Sequence, residues 1–503
     1  MKIIKTIGLI LFICGFTLFN SLLFRASYRM TPGQVDKLIS DRKKNALFTA
    51  QAAPLFEDIT SSQFTFVSKL RGIFTAVNNQ QIERYSFTET EIDRLVNLNT
   101  AKFYITTLDS VFDNSNAISA FKNKSFKDYG GWLDGLAFDN EEELRSRLKE
   151  VTDKIEKYAI VNQFGFDRYQ IKDLTYSLTK WAAMGPAKEN PEWLLFLTVG
   201  LCIIGAMLYI LPKVHIQPGI QNNGIFFNVM KNVGWLGILT GTWLIIFYIV
   251  LYFYPEYMTN WIIMVDPVSK LINGNEASRF FLYGFMYTLC ILVMGVRMII
   301  LYRHSKYQIL RTCSVMFFQT AFAFLIPEIL IRLNKPYFDF KNIWPLDYSF
   351  FFDSRLSQLV ESGTLGIFMI GWGIALIIVA VPLLVYIFGK RWYCSWVCGC
   401  GGLAETLGDP YRQLSNKSLK AWKVERWMIH GVLVFAVVMT AGVLYTYFTK
   451  SSWFLFFDTY TLREVYGVFI GAGFAGVVGT GFYPMMGNRV WCRFGCPLAA
   501  YLG

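Results

Sequence analysis

The sequence predicts an all-α fold, a polytopic membrane helix bundle of about eight spans that also carries an extracytoplasmic, mainly helical domain. Hydrophobic residues make up 54% of the 503 residues and charged residues only 17%, a composition typical of chains that cross a bilayer repeatedly. Apolar segments of about 20 residues, the length that spans a hydrocarbon core, recur along most of the chain. A long polar region, 25–190, separates the first of them from the rest.

This pattern divides the chain into four parts. They are an N-terminal membrane anchor (1–24), the extracytoplasmic helical domain (25–190), a transmembrane bundle of four spans (191–365), and a last transmembrane region with two Cys-x3-Cys motifs (366–503). Lys2 and Lys5 before an apolar run resemble a signal sequence, but no convincing small-residue cleavage site follows. We therefore expect an uncleaved anchor.

The apolar segments are each close to the length of a membrane span. Their expected ranges are 6–24, 193–211, 233–254, 280–301, 313–331, 366–388, 427–447 and 466–483. The last one has small residues at every fourth position, namely Gly467, Gly471, Ala475 and Gly479. Such a stripe lets helices approach closely in lipid. We expect this helix to pack inside the bundle and to hold Cys492 near Cys394.

Residues 25–190 are expected to form a folded unit rich in helix. Thr31 followed by Pro32 is a typical helix start, and so is Asn140 with Glu143 three places later. Apolar residues then recur at helical spacing at Leu144, Leu148, Val151 and Ile155. The region contains no Cys and no His, so it offers no thiolate or imidazole to a metal. We expect a docking or structural role for it.

The distribution of basic residues predicts the orientation, because cytoplasmic loops are enriched in Lys and Arg. Basic residues outnumber acidic ones in 390–426, whereas the predicted outside loops mix acidic and aromatic residues such as Asp339 and Trp344. Both Cys-x3-Cys motifs then lie on the reducing, cytoplasmic side and 25–190 lies outside. We expect a multi-pass protein of the bacterial inner membrane. The net charge of +12 follows from this bias, so membrane lipid and not nucleic acid is the expected partner.

A short motif occurs twice, each time just after an apolar segment. The two copies read GKRWYCSWVCG from Gly389 and GNRVWCRFGCP from Gly487. Both keep a Gly, an Arg two places on, an aromatic residue before the first Cys, another two places after it, and the Cys-x3-Cys pair. This internal repeat is expected to hold thiols at the mouths of two helices.

Clustered thiolates are soft ligands that suit an iron-sulfur cluster or zinc. A four-iron cluster takes four thiolates, and the two motifs can supply them as Cys394, Cys398, Cys492 and Cys496. Cys400 is a spare or alternative fifth metal ligand. The duplication favours the cluster, while structural zinc, a dithiol redox pair and unliganded thiols remain alternative interpretations.

The flanking residues suit a buried, negatively charged cofactor. Four aromatic residues would exclude water from it: Trp392, Trp396, Trp491 and Phe494. Arg391 and Arg489 would offset the negative charge of a thiolate-ligated cluster. Surroundings of this kind tune the reduction potential of a cluster.

Other electron carriers find little support in the sequence. Haem in a membrane needs axial imidazoles, and of the three His in the chain only His430 lies in a predicted span. We therefore expect no haem, and no flavin attachment sequence is present. Arg297 and Glu328 are ionisable residues inside predicted spans, where charge is costly and often functional. Glu328 could belong to a quinone site.

The pattern Gly-x-Arg-x-x-Cys-x3-Cys-Pro at the ends of transmembrane helices resembles the membrane-bound 4Fe-4S ferredoxin-type proteins of the NosR and NapH kind. The likeness covers roughly 280–503. The second copy matches through Pro497, whereas the first has Gly399 in that place and an added Cys400. The resemblance implies a relay of electrons between the quinone pool, or a cytoplasmic donor, and a partner reductase or maturation system. Proteins of this kind usually continue into a domain with further Cys-x2-Cys runs, so we expect a separate ferredoxin-type subunit or a shortened sequence.

We therefore predict an electron-transfer component, with a cluster at the cytoplasmic face, rather than a stand-alone enzyme. The rival prediction is a non-catalytic membrane assembly factor or sensor whose cysteines hold structural zinc or stay unliganded. The metal and sulfide content of the protein distinguishes the two.

Overall fold

The computed structural model of the protein describes residues 1–99, 102–112, 116–219, 234–389, 391–454 and 456–503. It contains two compact units, one formed by Phe24–Gly185 and the other by Met1–Leu23 together with Pro186–Gly503. The strands found in the described residues are two antiparallel pairs of two residues each, Ser27–Tyr28 with Ala183–Met184 and Trp453–Phe454 with Phe457–Asp458. Helix makes up most of the remainder, which confirms the prediction of an all-α fold.

The unit Phe24–Gly185 is built from short helices around an apolar core. Its α-helices are Pro32–Leu38, Arg42–Glu57, Gln63–Tyr85, Glu89–Leu98, Leu108–Val111, Ala117–Gly130, Glu141–Lys154, Val161–Phe164 and Arg168–Ala182. Tighter turns at Ile105–Thr107 and Gly131–Leu133 and a wider turn at Ile155–Ile160 join some of them. Aromatic and aliphatic side chains such as Phe103 and Phe126 are fully buried in its core.

Both predicted helix starts are found in this unit. The Thr31 N–H donates to Gln34 Oε1 at 3.0 Å, and the Glu143 N–H donates to Asn140 Oδ1 at 2.8 Å. These contacts satisfy groups at the helix start that have no partner within the helix. The apolar residues that follow the second start are buried, as their spacing predicted: Leu144, Leu148, Val151 and Ile155.

In the second unit, seven helices of the described residues are long and apolar enough to cross a membrane. They are Lys2–Phe24, Pro191–His215, Arg279–Leu301, Lys306–Arg332, Thr364–Phe388, Leu419–Thr449 and Thr459–Gly481. A pair bent by 116°, Gly237–Phe253 and Pro255–Met264, raises the number to eight if it forms one span. The chain is thus a multi-pass membrane protein. Val233, the predicted start of the bent segment, and Lys390 of the first motif lie outside the described residues.

Short helices connect or follow the spans. They are Pro186–Glu189, Thr259–Met264, Asp266–Asn273, Asp353–Glu361, Trp392–Trp396, Gly399–Thr406, Tyr483–Met486 and Pro497–Tyr501, with tighter turns at Leu22–Phe24, Leu211–His215, Pro255–Met258 and Asp409–Leu414. Three spans also contain wider, π-type turns: Phe318–Leu325, Leu376–Ala380 and Gly467–Val478. Such turns are often found at functional sites.

The last long helix packs closely against its neighbours, as its small residues predicted. A Cβ added to Gly471 would lie 2.8 Å from the Tyr348 hydroxyl, and one added to Gly479 would lie 2.9 Å from Cβ of Trp491. Trp491 belongs to the second Cys-x3-Cys motif. The helix therefore touches that motif along its small-residue face.

Candidate metal centre

The two Cys-x3-Cys motifs fold alike. In each, a glycine with positive φ follows the preceding helix, Gly389 at 95° and Gly487 at 84°, and residues without a Cβ adopt this conformation at little cost. The first Cys of each copy then lies in a short helical turn, Trp392–Trp396 or Trp491–Gly495. The glycines are thus part of the motif because the chain turns sharply at them.

The same hydrogen bond closes both turns. The Cys398 N–H donates to Tyr393 O, and the Cys496 N–H donates to Trp491 O, each at 2.9 Å. In both copies the acceptor directly precedes the first Cys, and the second Cys caps the helix that follows. The repeat in the sequence is therefore also a repeat in structure.

Thiols from both copies meet in one buried apolar cluster. Cys398 and Cys496 are 6% and 4% exposed and belong to its core, and Cys400 and Cys492 pack against it. Cys394 is also buried and interacts electrostatically with Cys398 and Cys492. All five are free thiols. The structure thus gathers in one neighbourhood every cysteine that the sequence singled out as a ligand.

These thiols do not converge on a single point. Among the described residues, no three His, Cys, Asp or Glu side chains are placed to hold one metal ion. Tetrahedral zinc needs its sulfur ligands about 2.3 Å from one ion. A four-iron cluster makes a different demand, because its four thiolates surround a group of irons and sulfides.

The electrostatic environment separates Cys398 from its neighbours. A hydrogen bond from the Cys400 S–H, supported by the charge of Lys341, lowers the pKa of Cys398 against the opposing effect of burial. Burial raises the pKa of Cys492 to about 11, and the nearby Cys398 adds to this rise. Several ionised thiols in this apolar site would repel one another, so a bound cationic centre would supply the charge that they lack.

The sequence led us to expect the motifs at the helix mouths, and residues in the first motif and just after the second also contact the middle of neighbouring spans. A Cβ added to Gly399, between Cys398 and Cys400, would lie 2.7 Å from Oε1 of Gln319, the central residue of the span Lys306–Arg332. In the helix that follows the second motif, Pro497–Tyr501, the Tyr501 hydroxyl donates to Ile377 O at 2.9 Å, next to the centre of the span Thr364–Phe388. The first motif and the helix after the second motif therefore both reach the middle of neighbouring spans.

Small residues make this fold-back possible in the first copy. A Cβ added to Gly401 would collide with the carbonyl oxygen of Cys394, and one added to Gly402 would collide with the Val315 side chain. These close contacts, with a backbone oxygen at Gly401 and with a side chain at Gly402, leave no room for a larger residue. The sequence signal for the fold-back is thus the glycine-rich run that follows Cys398.

An ionic clamp joins the two copies. Arg489 of the second copy pairs with Glu405 and donates to Ser395 Oγ of the first copy at 3.2 Å. Glu405 also accepts from Arg311 Nη2 at 2.7 Å, and the three charged side chains are only 14–21% exposed. The positive charge of Arg489 acts on the Cys394 and Cys492 thiols. Sequence analysis found Arg489 but missed Glu405, whose partners are distant along the chain.

The ionisable residues predicted inside spans have partners of their own. Arg297 pairs with the buried Asp409 at 3.0 Å. Glu328 is buried, and its Oε2 accepts from Asn273 Nδ2 at 2.6 Å. His430 is exposed on its span, with Nδ1 2.7 Å from the Arg426 carbonyl oxygen. Arg297 and Asp409 thus form a buried ion pair.

The residues of the site suit an iron-sulfur cluster. Trp491, in the same buried cluster as the thiols, has an indole N–H that is shielded from solvent and without an acceptor among the described residues. Sulfur atoms of an iron-sulfur cluster accept hydrogen bonds, which help to set its potential. Trp392 and Trp396 pack against the same cluster of side chains. The site thus offers four or five thiols as ligands, an indole N–H without an acceptor, and aromatic side chains that exclude water. Each of these suits an iron-sulfur cluster.

The profile of a family described as a 4Fe-4S binding domain matches residues 372–419 and 466–503, the two stretches that contain the motifs. The fold and this match indicate the class: a multi-pass membrane protein whose C-terminal region is similar to a 4Fe-4S binding domain, which supports an iron-sulfur role of the ferredoxin type in electron transfer. No curated protein and no solved structure shows significant similarity to the chain.

Proposed function

We propose that Cys394, Cys398, Cys492 and Cys496 together hold one 4Fe-4S cluster. The observation that carries this proposal is the matched pair of turns, each closed from its second Cys, which brings the thiols of both copies into one buried cluster. Two copies of a two-thiol turn supply the four thiolates that a four-iron cluster requires.

Cys400 is the alternative ligand within this proposal. Its S–H donates to the Cys398 sulfur, so it stabilises that thiolate directly. Because it lies two residues beyond Cys398, it can replace Cys398 as a ligand or remain beside the cluster as a hydrogen-bond donor. Loss of Cys400 then weakens the centre less than loss of a primary ligand.

When bound, the cluster would accept and release single electrons within the bundle. The chain's own residues bind it through thiolates, exclude water with tryptophan side chains and balance its charge with arginines. The protein then relays electrons between the quinone pool, or a cytoplasmic donor, and a partner reductase or maturation system. The likeness of its motifs to proteins of the NosR and NapH kind supports this role and also a separate ferredoxin-type subunit.

The topology proposed with this function is that of a bacterial inner-membrane protein. The basic residues of 390–426 support a cytoplasmic location for both motifs, and the same rule supports an extracytoplasmic, docking domain over 25–190. The compact unit Phe24–Gly185 supports treating most of that range as one folded domain. The proposed boundaries are 1–24, 25–190, 191–365 and 366–503.

Metal and sulfide analysis of protein purified without oxygen tests the cluster. We expect iron and labile sulfide in the wild type, with an electron paramagnetic resonance signal after reduction, and loss of both in the double variant Cys394→Ala and Cys492→Ala. Cys313→Ala is the matched control, because Cys313 is an exposed thiol on a span. Zinc without sulfide, or a wild type without iron, would support the rival function of an assembly factor or sensor.

Labelling of single introduced cysteines tests the topology. Tyr104 and Lys417 are both exposed. A membrane-impermeant maleimide should label Tyr104→Cys in intact cells and Lys417→Cys only after the membrane is opened. The opposite pattern would reverse the proposed orientation.

A further inference from the structure

The segment 333–352 also folds back into the bundle, and it does so from the other end. It precedes the span Thr364–Phe388, whereas the first Cys-x3-Cys motif follows that span. Ile343 is 1% exposed and belongs to the same buried cluster as Cys398 and Cys496. A connection that the sequence predicted only as an outside loop of mixed acidic and aromatic residues therefore reaches the thiols.

Several contacts hold this segment against the first motif, the helix after the second motif and a neighbouring span. The Tyr393 hydroxyl of the first motif donates to Lys341 O. The Trp344 ring lies 6.3 Å from the Tyr501 ring, and its indole N–H donates to Thr440 Oγ1 at 2.9 Å. Backbone and side chains of the segment are thus fixed by partners on separate elements.

An ion pair of low exposure lies on this segment near the thiols. The Lys341 ammonium lies 3.2 Å from Asp339 Oδ2, and the two side chains are 8% and 18% exposed. The Lys341 ammonium also interacts electrostatically with the Cys398 and Cys400 thiols. A buried charge is costly unless it has partners. The partners of the Lys341 ammonium are Asp339 on its own segment and the thiols of Cys398 and Cys400.

We propose that Lys341 and Asp339 set the reduction potential of the thiol-bound centre, from a segment that enters the bundle at the end opposite to the first motif. The inference rests on the proposed iron-sulfur function. A four-thiolate cluster becomes more negative when it accepts an electron, so a nearby buried cation stabilises the reduced form and a nearby anion destabilises it. Lys341 therefore raises the potential and Asp339 lowers it, each through its charge and without ligating iron.

A redox titration followed by electron paramagnetic resonance tests this proposal on the full-length protein. Lys341→Met should shift the midpoint potential to more negative values, and Asp339→Asn should shift it to more positive values, with the iron content unchanged. Lys341→Arg keeps the charge and should stay close to the wild type. Lys335→Met is the matched control, because Lys335 is exposed on the same segment.

The opposite signs separate an electrostatic role from a structural one. Loss of packing would reduce iron in both variants without shifting the potential in opposite directions. If Lys341→Met retains no cluster, the positive shift of Asp339→Asn decides in favour of the proposal and its absence decides against it. A wild type without iron refutes the proposed function itself, whereas a loaded protein whose potential ignores both substitutions refutes only this inference.

Discussion

Replacement of Glu405 by Gln should damage the protein more than replacement of either arginine that it binds. Glu405 is shared by Arg489 and Arg311. Without its charge, two guanidinium groups of low exposure lose their common partner, and breaking a buried ion pair costs about 3–5 kcal/mol. We expect a loss near the lower limit because the three groups are 14–21% exposed.

Arg311→Gln should cost less, because Glu405 then keeps Arg489 as its partner. One lost hydrogen bond to a charged group is worth about 1.5–3 kcal/mol. Thermal unfolding of each purified variant in detergent measures its loss of stability, and its iron content is measured alongside. Together these two quantities rank the variants. Lys69→Met removes an ion pair whose side chains are 44% and 54% exposed and should leave stability unchanged.

The result that contradicts this reasoning is a change of order. If Glu405→Gln is no more harmful than Arg311→Gln, the clamp does not hold the two motifs together. Iron content adds a second criterion, because Arg489 connects directly to Ser395 of the first motif. Arg489→Gln should therefore lose more iron than Arg311→Gln at equal loss of stability.

Three further outcomes follow from other parts of the structure. Gly401→Ala should abolish iron binding, because its Cβ would collide with the Cys394 carbonyl. Gly431→Ala should leave iron binding intact, because nothing in the described chain lies within 4 Å of an added Cβ there. Equal iron content in the two variants would contradict the fold-back. Glu328→Gln should slow reduction by a quinol while leaving iron content intact, and an unchanged rate removes Glu328 from any quinone site. Asn140→Ala should destabilise its helix by about 1 kcal/mol, measured as faster amide exchange over Glu141–Lys154; unchanged exchange would show that the cap contributes nothing.

Local features of this protein were readable from the sequence. Apolar length predicts membrane spans because each span must satisfy its own backbone in lipid. Side-chain capping at Asn140 depends on residues three positions apart, and the Cys-x3-Cys repeat depends on residues four apart. The Gly389 and Gly487 turns repeat for the same reason, since each is a property of one backbone position. These features need no information about distant parts of the chain.

Tertiary structure alone decided where those features meet. The sequence placed the motifs at the helix mouths, and in the structure the first motif also contacts Gln319 in the middle of a span because Gly399 permits a close approach there. Glu405 and Lys341 gained their importance in the same way, since their partners lie far away along the chain. Charge pairing and close packing act through space, so a single sequence names the residues that carry charge or sulfur but only the fold determines which of them face one another.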